Sequence, residues 1–123
     1  MSKTVLLVDD NRVARMMLRL VITELRPEWT VSEAASAEEA LEIAKDKAFD
    51  VLLVDVGLPG MSGLDLAAKL HDIYPAAHIA MVTANIQKPV RDKAAALGAA
   101  FIEKPLKPEA LLNFFTSLEA AGE

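Results

Sequence analysis

Four short runs of the chain are apolar without a break: Val5-Leu6-Leu7-Val8, Val51-Leu52-Leu53-Val54, Ile79-Ala80-Met81-Val82 and Ala99-Ala100-Phe101-Ile102. A fifth stretch, Trp29 to Ala34, is weaker and alternates in polarity. A strand with one wet face alternates, whereas a strand covered on both faces does not, so the continuous runs suit a parallel sheet. Between these runs the apolar spacing lengthens to that of a helix. Ser36, with Glu39 three residues on, forms a capping box that opens a helix carrying Ala40, Leu41 and Ala44 on one face. Leu64, Ala67, Leu70 and Ile73 suit another, ended by Tyr74-Pro75. Ile86, Val90, Ala94 and Leu97 suit a third, with Gly98 as its C-cap. Pro108 fits the first turn of a last helix bearing Leu111, Phe115 and Leu118. Strict alternation of strand and helix predicts a doubly wound α/β fold, a five-stranded parallel sheet with five helices on its two faces.

The first helix, between the first two strands, divides differently. Arg12, Arg15, Arg19 and Thr23 form a polar stripe, and Ala14, Leu18, Val21 and Leu25 lie opposite it, toward the core. Val13, Met16, Met17 and Leu20 widen the apolar arc beyond what the core needs. That shoulder either packs on Leu112 and Phe114 of the last helix or is a docking surface for a helical partner, to which pliable Met side chains are suited.

Length and composition narrow the class. With 123 residues and no Gly/Ser linker or charge block, residues 1–123 read as one domain with a real core. Lys and Arg number 13 against 18 Asp and Glu, a net charge of −5. Lacking a basic run, such a chain is a poor binder of nucleic acid or of an anionic membrane. The absence of Cys removes disulfides, thiolate metal sites and thiol nucleophiles and fits a cytoplasmic protein. No signal-peptide core follows Met1, and no apolar run is long enough to cross a bilayer.

The chemistry gathers at the strand ends. In open α/β sheets, ligands sit outside the carboxyl ends of the strands, near the point where strand order reverses. Asp9 and Asp10 follow the first strand, Asp55 ends the third, Thr83 ends the fourth and Lys104 follows the fifth. If the first and third strands are neighbours, about 4.8 Å apart, three carboxylates converge in one crevice, and like charges at that range either raise their pKa values or demand a cation. A site of oxygen donors without His or Cys points to Mg²⁺, with Mn²⁺ as the other candidate. Lys104 and the Thr83 hydroxyl add what a phosphoryl group in transfer requires, and a lone carboxylate such as Asp55 is the natural acceptor. Each residue also has an ordinary role. Asp9, Asp10 and Asn11 can cap the first helix, Asp55 can open a turn, and Thr83 and Lys104 can be surface residues. The conjunction of all the strand ends carries the argument.

Val-Asp-Asp at 8–10, Leu-Val-Asp at 53–55, Leu-Pro-Gly-Met-Ser-Gly at 58–63, Val-Thr-Ala at 82–84 and Lys-Pro at 104–105 together resemble the response-regulator receiver family, including single-domain chemotaxis regulators. The resemblance spans essentially the whole chain. It implies a flavodoxin-like sheet of order 2-1-3-4-5. It implies Asp55 as phosphoacceptor, with Mg²⁺ bound by Asp10, Asp55 and the Gly57 carbonyl, and by Asp9 through water. Thr83 and Lys104 would hold the phosphoryl oxygens, and the Lys104-Pro105 bond would be cis. Phe101 would occupy the aromatic switch position, though without the hydroxyl many chemotaxis members carry; plain core is its other reading. The partners implied are a histidine kinase or histidine phosphotransfer protein and a downstream protein target. Chemotaxis control or a phosphorelay would be the output, through protein binding, since no effector segment follows Glu123. A monomer is expected, a dimer being the alternative. Such a protein would catalyse only its own phosphorylation and dephosphorylation.

Rival readings make separate demands. A scaffold that keeps the fold without the chemistry has no need of the full Asp, Thr and Lys set. A flavin-binding relative would want a phosphate cradle after the first strand, where Asp9 and Asp10 would repel one. Gly57, Gly60 and Gly63 do not match a dinucleotide fingerprint, and turn geometry around Pro59 accounts for them.

Overall fold

The computed structural model describes residues 2–121. Strands β1 (Thr4–Val8), β2 (Thr30–Ala34), β3 (Val51–Val54), β4 (His78–Thr83) and β5 (Ala100–Glu103) alternate with helices α1 (Arg12–Leu25), α2 (Ala37–Ala44), α3 (Gly63–Ile73), α4 (Lys88–Ala96) and α5 (Pro108–Ala121). The sheet is parallel throughout and ordered β2-β1-β3-β4-β5. The chain runs outward from β1 to β2, then returns past β1 to β3, so strand order reverses between β1 and β3 and opens a crevice at their carboxyl ends.

Successive side chains of a strand point to opposite faces, and here both faces are covered. Leu6, Val8, Leu52 and Val54 pack against Ala40, Leu66, Leu70 and Ala94, under α2, α3 and α4. Val5, Leu7, Val51 and Leu53 pack against Leu18, Ile22, Leu111 and Phe115, under α1 and α5. This is why the central runs are apolar at every position. β2 lies at an edge and is less buried than the central strands, with only Ala34 fully covered.

The helix ends follow local chemistry. The Ser36 hydroxyl accepts from Glu39 N at 3.1 Å, as the capping box requires. The return bond reaches one residue further back, from Ala35 N to Glu39 Oε1 at 2.7 Å. Gly98 takes φ +71° just past α4, a conformation that a side chain disfavours, and Pro108 begins α5.

Several boundaries and faces differ from the sequence reading. Trp29 precedes β2 rather than lying in it, and buries its ring against Phe115, with centroids 4.6 Å apart. α4 begins at Lys88, leaving Ile86 exposed in the loop before it, because Pro89 suits a first turn and not a helix interior. In α3 the buried face is Leu66, Ala67 and Leu70, while Ile73 is exposed in the last turn. In α1 the fully buried residues are Leu18 and Ile22; Val21 and Leu25 only border the core. No helix among the described residues is long and apolar enough to cross a membrane.

Candidate functional site

The crevice is built by residues one step beyond the strand ladders, each tied to its neighbour. Asp9 N donates to Ala34 O at 3.2 Å, Asp55 N to Val8 O at 2.9 Å, and Lys104 N to Thr83 O at 2.9 Å. Asp9, Asp10 and Asp55 each bring a carboxylate oxygen within 4.8 Å of the others. Asp9 is 1% exposed, Asp55 is half-buried and Asp10 is exposed. Lys104 Nζ reaches Asp9 Oδ2 at 2.8 Å and Asp55 Oδ2 at 3.4 Å. The Lys104-Pro105 peptide is cis.

Of Asp9, Asp10 and Asn11, the three residues that could cap α1, Asn11 is the one that does so. Its Oδ1 accepts from Ala14 N at 3.0 Å, and Asp9 Oδ1 accepts from Asn11 N at 2.8 Å. Asp10 is therefore spared: it makes no hydrogen bond among the described residues. Burial works against the charge on Lys104, but the hydrogen bond to Asp9 and the charges of Asp55 and Asp9 outweigh it and raise its pKa. Three carboxylates against one ammonium leave two negative charges uncompensated. With donors that are all oxygen, the residues present fit a hard divalent cation.

Thr83 is 3% exposed, and its hydroxyl oxygen accepts from Asn85 N at 3.1 Å. A hydroxyl that accepts one bond still carries its own proton to donate. Gly57 N donates to Asp55 Oδ1 at 3.2 Å. A Cβ at Gly57 would stand 3.9 Å from that same carboxylate oxygen, with open space otherwise. The remaining glycines have separate causes, and the turn at Pro59 explains only one. Gly60 has φ +75°. Gly63, buried at the start of α3, donates from its N to Val56 O at 2.9 Å. A Cβ there would overlap the Asp55 carbonyl and lie 2.8 Å from Val56 Cα. Gly63 thus seats α3 against the backbone of the proposed acceptor.

Two more residues escape a reading by stripes. Arg15, placed on the polar face of α1, folds back: Nη1 donates to Asp9 O at 2.6 Å and Nε to Glu33 Oε1 at 3.0 Å. Arg19 donates to Glu33 Oε2 at 2.6 Å and to Val31 O at 3.0 Å. Burial pushes the Glu33 carboxyl up, but hydrogen bonds from Arg19 and Arg15 outweigh this and hold it low. Arginines one turn apart, followed by an acid in the next strand, were the available signal. Arg12 and Thr23 stay exposed as expected.

The α1 shoulder is bare. Val13, Met16, Met17 and Leu20 are 65%, 50%, 56% and 57% exposed, so Leu112 and Phe114 do not cover it. Beside it an apolar cavity of about 370 Å³ is lined by Met17, Val21, Val82, Lys104, Pro105 and Leu106, among others. Phe101 is half-buried against the α4 side of the core, with the Arg91 guanidinium 5.9 Å from its ring centre.

The sequence profile of the response regulator receiver domain matches residues 5–116. The chemotaxis protein CheY of Thermotoga maritima is 35% identical over 114 residues, covering 92% of this chain and 94% of that protein. The solved CheY-like receiver domain protein of Methanospirillum hungatei superposes with a TM-score of 0.87 at 29% identity, covering 95% of this chain and 93% of that one. A response regulator of Burkholderia pseudomallei, solved with a phosphorylated aspartic acid, calcium ion and citrate, gives 0.77 at 29% identity, covering 98% and 72%. The response regulator UvrY of Escherichia coli is 30% identical over 115 residues, and this chain spans only 53% of its length.

Proposed function

This chain belongs to the response regulator receiver domain family, and on that premise we propose that Asp55 accepts a phosphoryl group from a phosphohistidine in a Mg²⁺-dependent reaction. The observation that carries this reading is the shared crevice: three carboxylates within 4.8 Å, with Lys104 bridging two of them. Asp9, Asp10, Asp55 and the Gly57 carbonyl are the groups that would hold the cation. Mg²⁺, when bound, offsets the repulsion among the carboxylates and the charge on the transferring group.

The chain's own residues do the rest. An Asp55 carboxylate oxygen attacks phosphorus while the bond from phosphorus to the histidine nitrogen breaks, giving an acyl phosphate on Asp55 and a free imidazole on the donor. Lys104 Nζ, now shared between Asp9 and Asp55, is placed to follow the new phosphoryl oxygen without leaving Asp9. Thr83 donates its hydroxyl proton to another oxygen. Turning Thr83 toward the phosphoryl group changes the space beside Phe101, and the population of two packings shifts there and along α4, β5 and α5. Residues 1–123 act as one receiver domain in the cytoplasm and catalyse only their own phosphorylation and dephosphorylation. The output is a changed protein-binding surface, in chemotaxis or a phosphorelay. The phosphorylated aspartic acid of the Burkholderia pseudomallei relative supports this chemistry.

Intact mass after incubation with Mg²⁺ and a small phosphoramidate tests the reading. One phosphoryl adduct is expected, absent without Mg²⁺ and absent in Asp55→Asn. A folded wild type that gains no adduct from the small donor or from any histidine kinase would leave only a non-phosphorylated scaffold.

The phosphohistidine donor docks, in this reading, on the bare shoulder of α1 beside the apolar cavity. Met16→Glu should slow transfer from a protein donor about tenfold, the effect of losing roughly 1.4 kcal/mol of contact. The rate with the small donor should not change. Equal slowing with both donors would move the shoulder from docking to folding.

A further inference from the structure

Asp10 is the least constrained member of the acidic cluster. It is exposed and makes no hydrogen bond among the described residues, so its aim is set by the backbone that carries it. That backbone is held at one atom. Asp9 O, the carbonyl of the Asp9–Asp10 peptide, accepts from Arg15 Nη1 at 2.6 Å. The Arg15 guanidinium is half-buried and is itself braced by Glu33 at 3.0 Å, and Glu33 is braced in turn by Arg19 at 2.6 Å. The other polar groups of Asp9 are also engaged, by Ala34 O, Asn11 N and Lys104 Nζ. Rotating the Asp9–Asp10 peptide would break the Arg15 bond and swing the Asp10 carboxylate away from Asp55.

We infer that Arg15, braced by Glu33, is a positioning residue that aims Asp10 at the divalent-cation site. This rests on the proposed Mg²⁺ reading of the acidic cluster. A planar fork can bond Asp9 O and Glu33 together, whereas the point charge of a lysine cannot reproduce both directions. Partners that orient a ligand without touching the ion typically contribute 10–100-fold in affinity.

The sign of the effect separates aim from charge. Arg15 is a cation near a cation site, so electrostatics alone would make its removal tighten Mg²⁺ binding. Loss of aim makes it weaker. Mg²⁺ affinity by calorimetry, without any phosphodonor, is therefore the experiment, alongside thermal melting. Arg15→Gln and Arg15→Lys should each weaken binding about tenfold. Arg19→Gln loses its bonds to Glu33 and Val31 but none to Asp9, so it should change binding less than about twofold whatever it does to the melting temperature. In an Asp10→Asn background the Arg15→Gln effect should vanish, because the ligand it aims is gone. Unchanged or tighter binding in folded Arg15→Gln would overturn the inference, as would equal losses in Arg19→Gln and Arg15→Gln. A wild type that binds no Mg²⁺ would sink the cation site together with it, and the calorimetry distinguishes that result at once.

Discussion

The two ends of the sheet treat charge in opposite ways. At the amino end, Arg26 and Asp50 each find a partner within the chain. Arg26 donates to both oxygens of Glu119 at 2.7 Å, with its guanidinium over the rings of Trp29 and Phe115. Thr4 N donates to Asp50 Oδ2 at 2.9 Å, joining β1 to the start of β3. At the carboxyl end, three carboxylates cluster and one ammonium reaches only two of them, Asp9 and Asp55, of which Asp9 is buried. These amino-end groups are satisfied within the chain, whereas the acidic cluster at the carboxyl end keeps a surplus of negative charge that a divalent cation would offset. The two rims of one sheet thus differ in how their charge is met.

The largest expected effect removes the support of the carboxyl end. In Gly63→Ala the new methyl must displace the Asp55 carbonyl or the start of α3. We predict a loss of about 3 kcal/mol in urea unfolding and a clear loss of phosphoryl adduct. A variant as stable as wild type would show that α3 can slide without cost.

Next comes the response to the ion itself. A cation at 100 times its dissociation constant should stabilise the wild type by about 2.7 kcal/mol. Asp10→Asn should lose most of that gain. It should also be more stable than wild type by roughly 1 kcal/mol in chelator, because one of three repelling charges is gone. Equal melting temperatures in chelator would mean that the repulsion is already relaxed by water. Trp29 lies at the opposite rim, so its fluorescence should hardly follow Mg²⁺; strong quenching would contradict the separation of the two ends.

The smallest effect belongs to the amino end. The Arg26 hydrogen bond holds the Glu119 carboxyl below its usual pKa. The stability this contributes is present above the ordinary Glu pKa and is lost as pH falls through the lowered one. Glu119 is substantially exposed, so the pair is worth less than about 1 kcal/mol. Arg26→Gln should show that deficit at neutral pH, lose it in acid, and leave Mg²⁺ affinity untouched. A deficit independent of pH would assign the role of Arg26 to its packing on Trp29 and Phe115.

Much of the fold was legible because a sheet covered on both faces writes an unbroken apolar run, and Val5 to Val8 and Val51 to Val54 do so. The meeting of Asp9, Asp10, Asp55 and Lys104 in one crevice was legible for a related reason, as polar residues at or just past the ends of such runs. Periodicity was less informative where a helix meets only a rim. Ile73 continues the spacing of α3 but lies past the sheet, and Ile86 continues that of α4 but precedes its first turn. Glu33 pairs with the Arg15 and Arg19 side chains and left a signal in their spacing, but Gly63 and the bond from Arg15 to Asp9 O were hidden because each acts on the backbone. Side-chain patterns carry no trace of such partners.

Arg19 has a consequence beyond the site. β2 is an edge strand, and an unpaired edge invites another chain to add itself. Val31 O points outward from that edge, and the Arg19 guanidinium already occupies it at 3.0 Å. A foreign strand sliding alongside would find an acceptor taken and a charge standing in its path. The arginine that braces Glu33 thus also occupies an outward acceptor on the β2 edge, so that the edge is partly covered by its own helix.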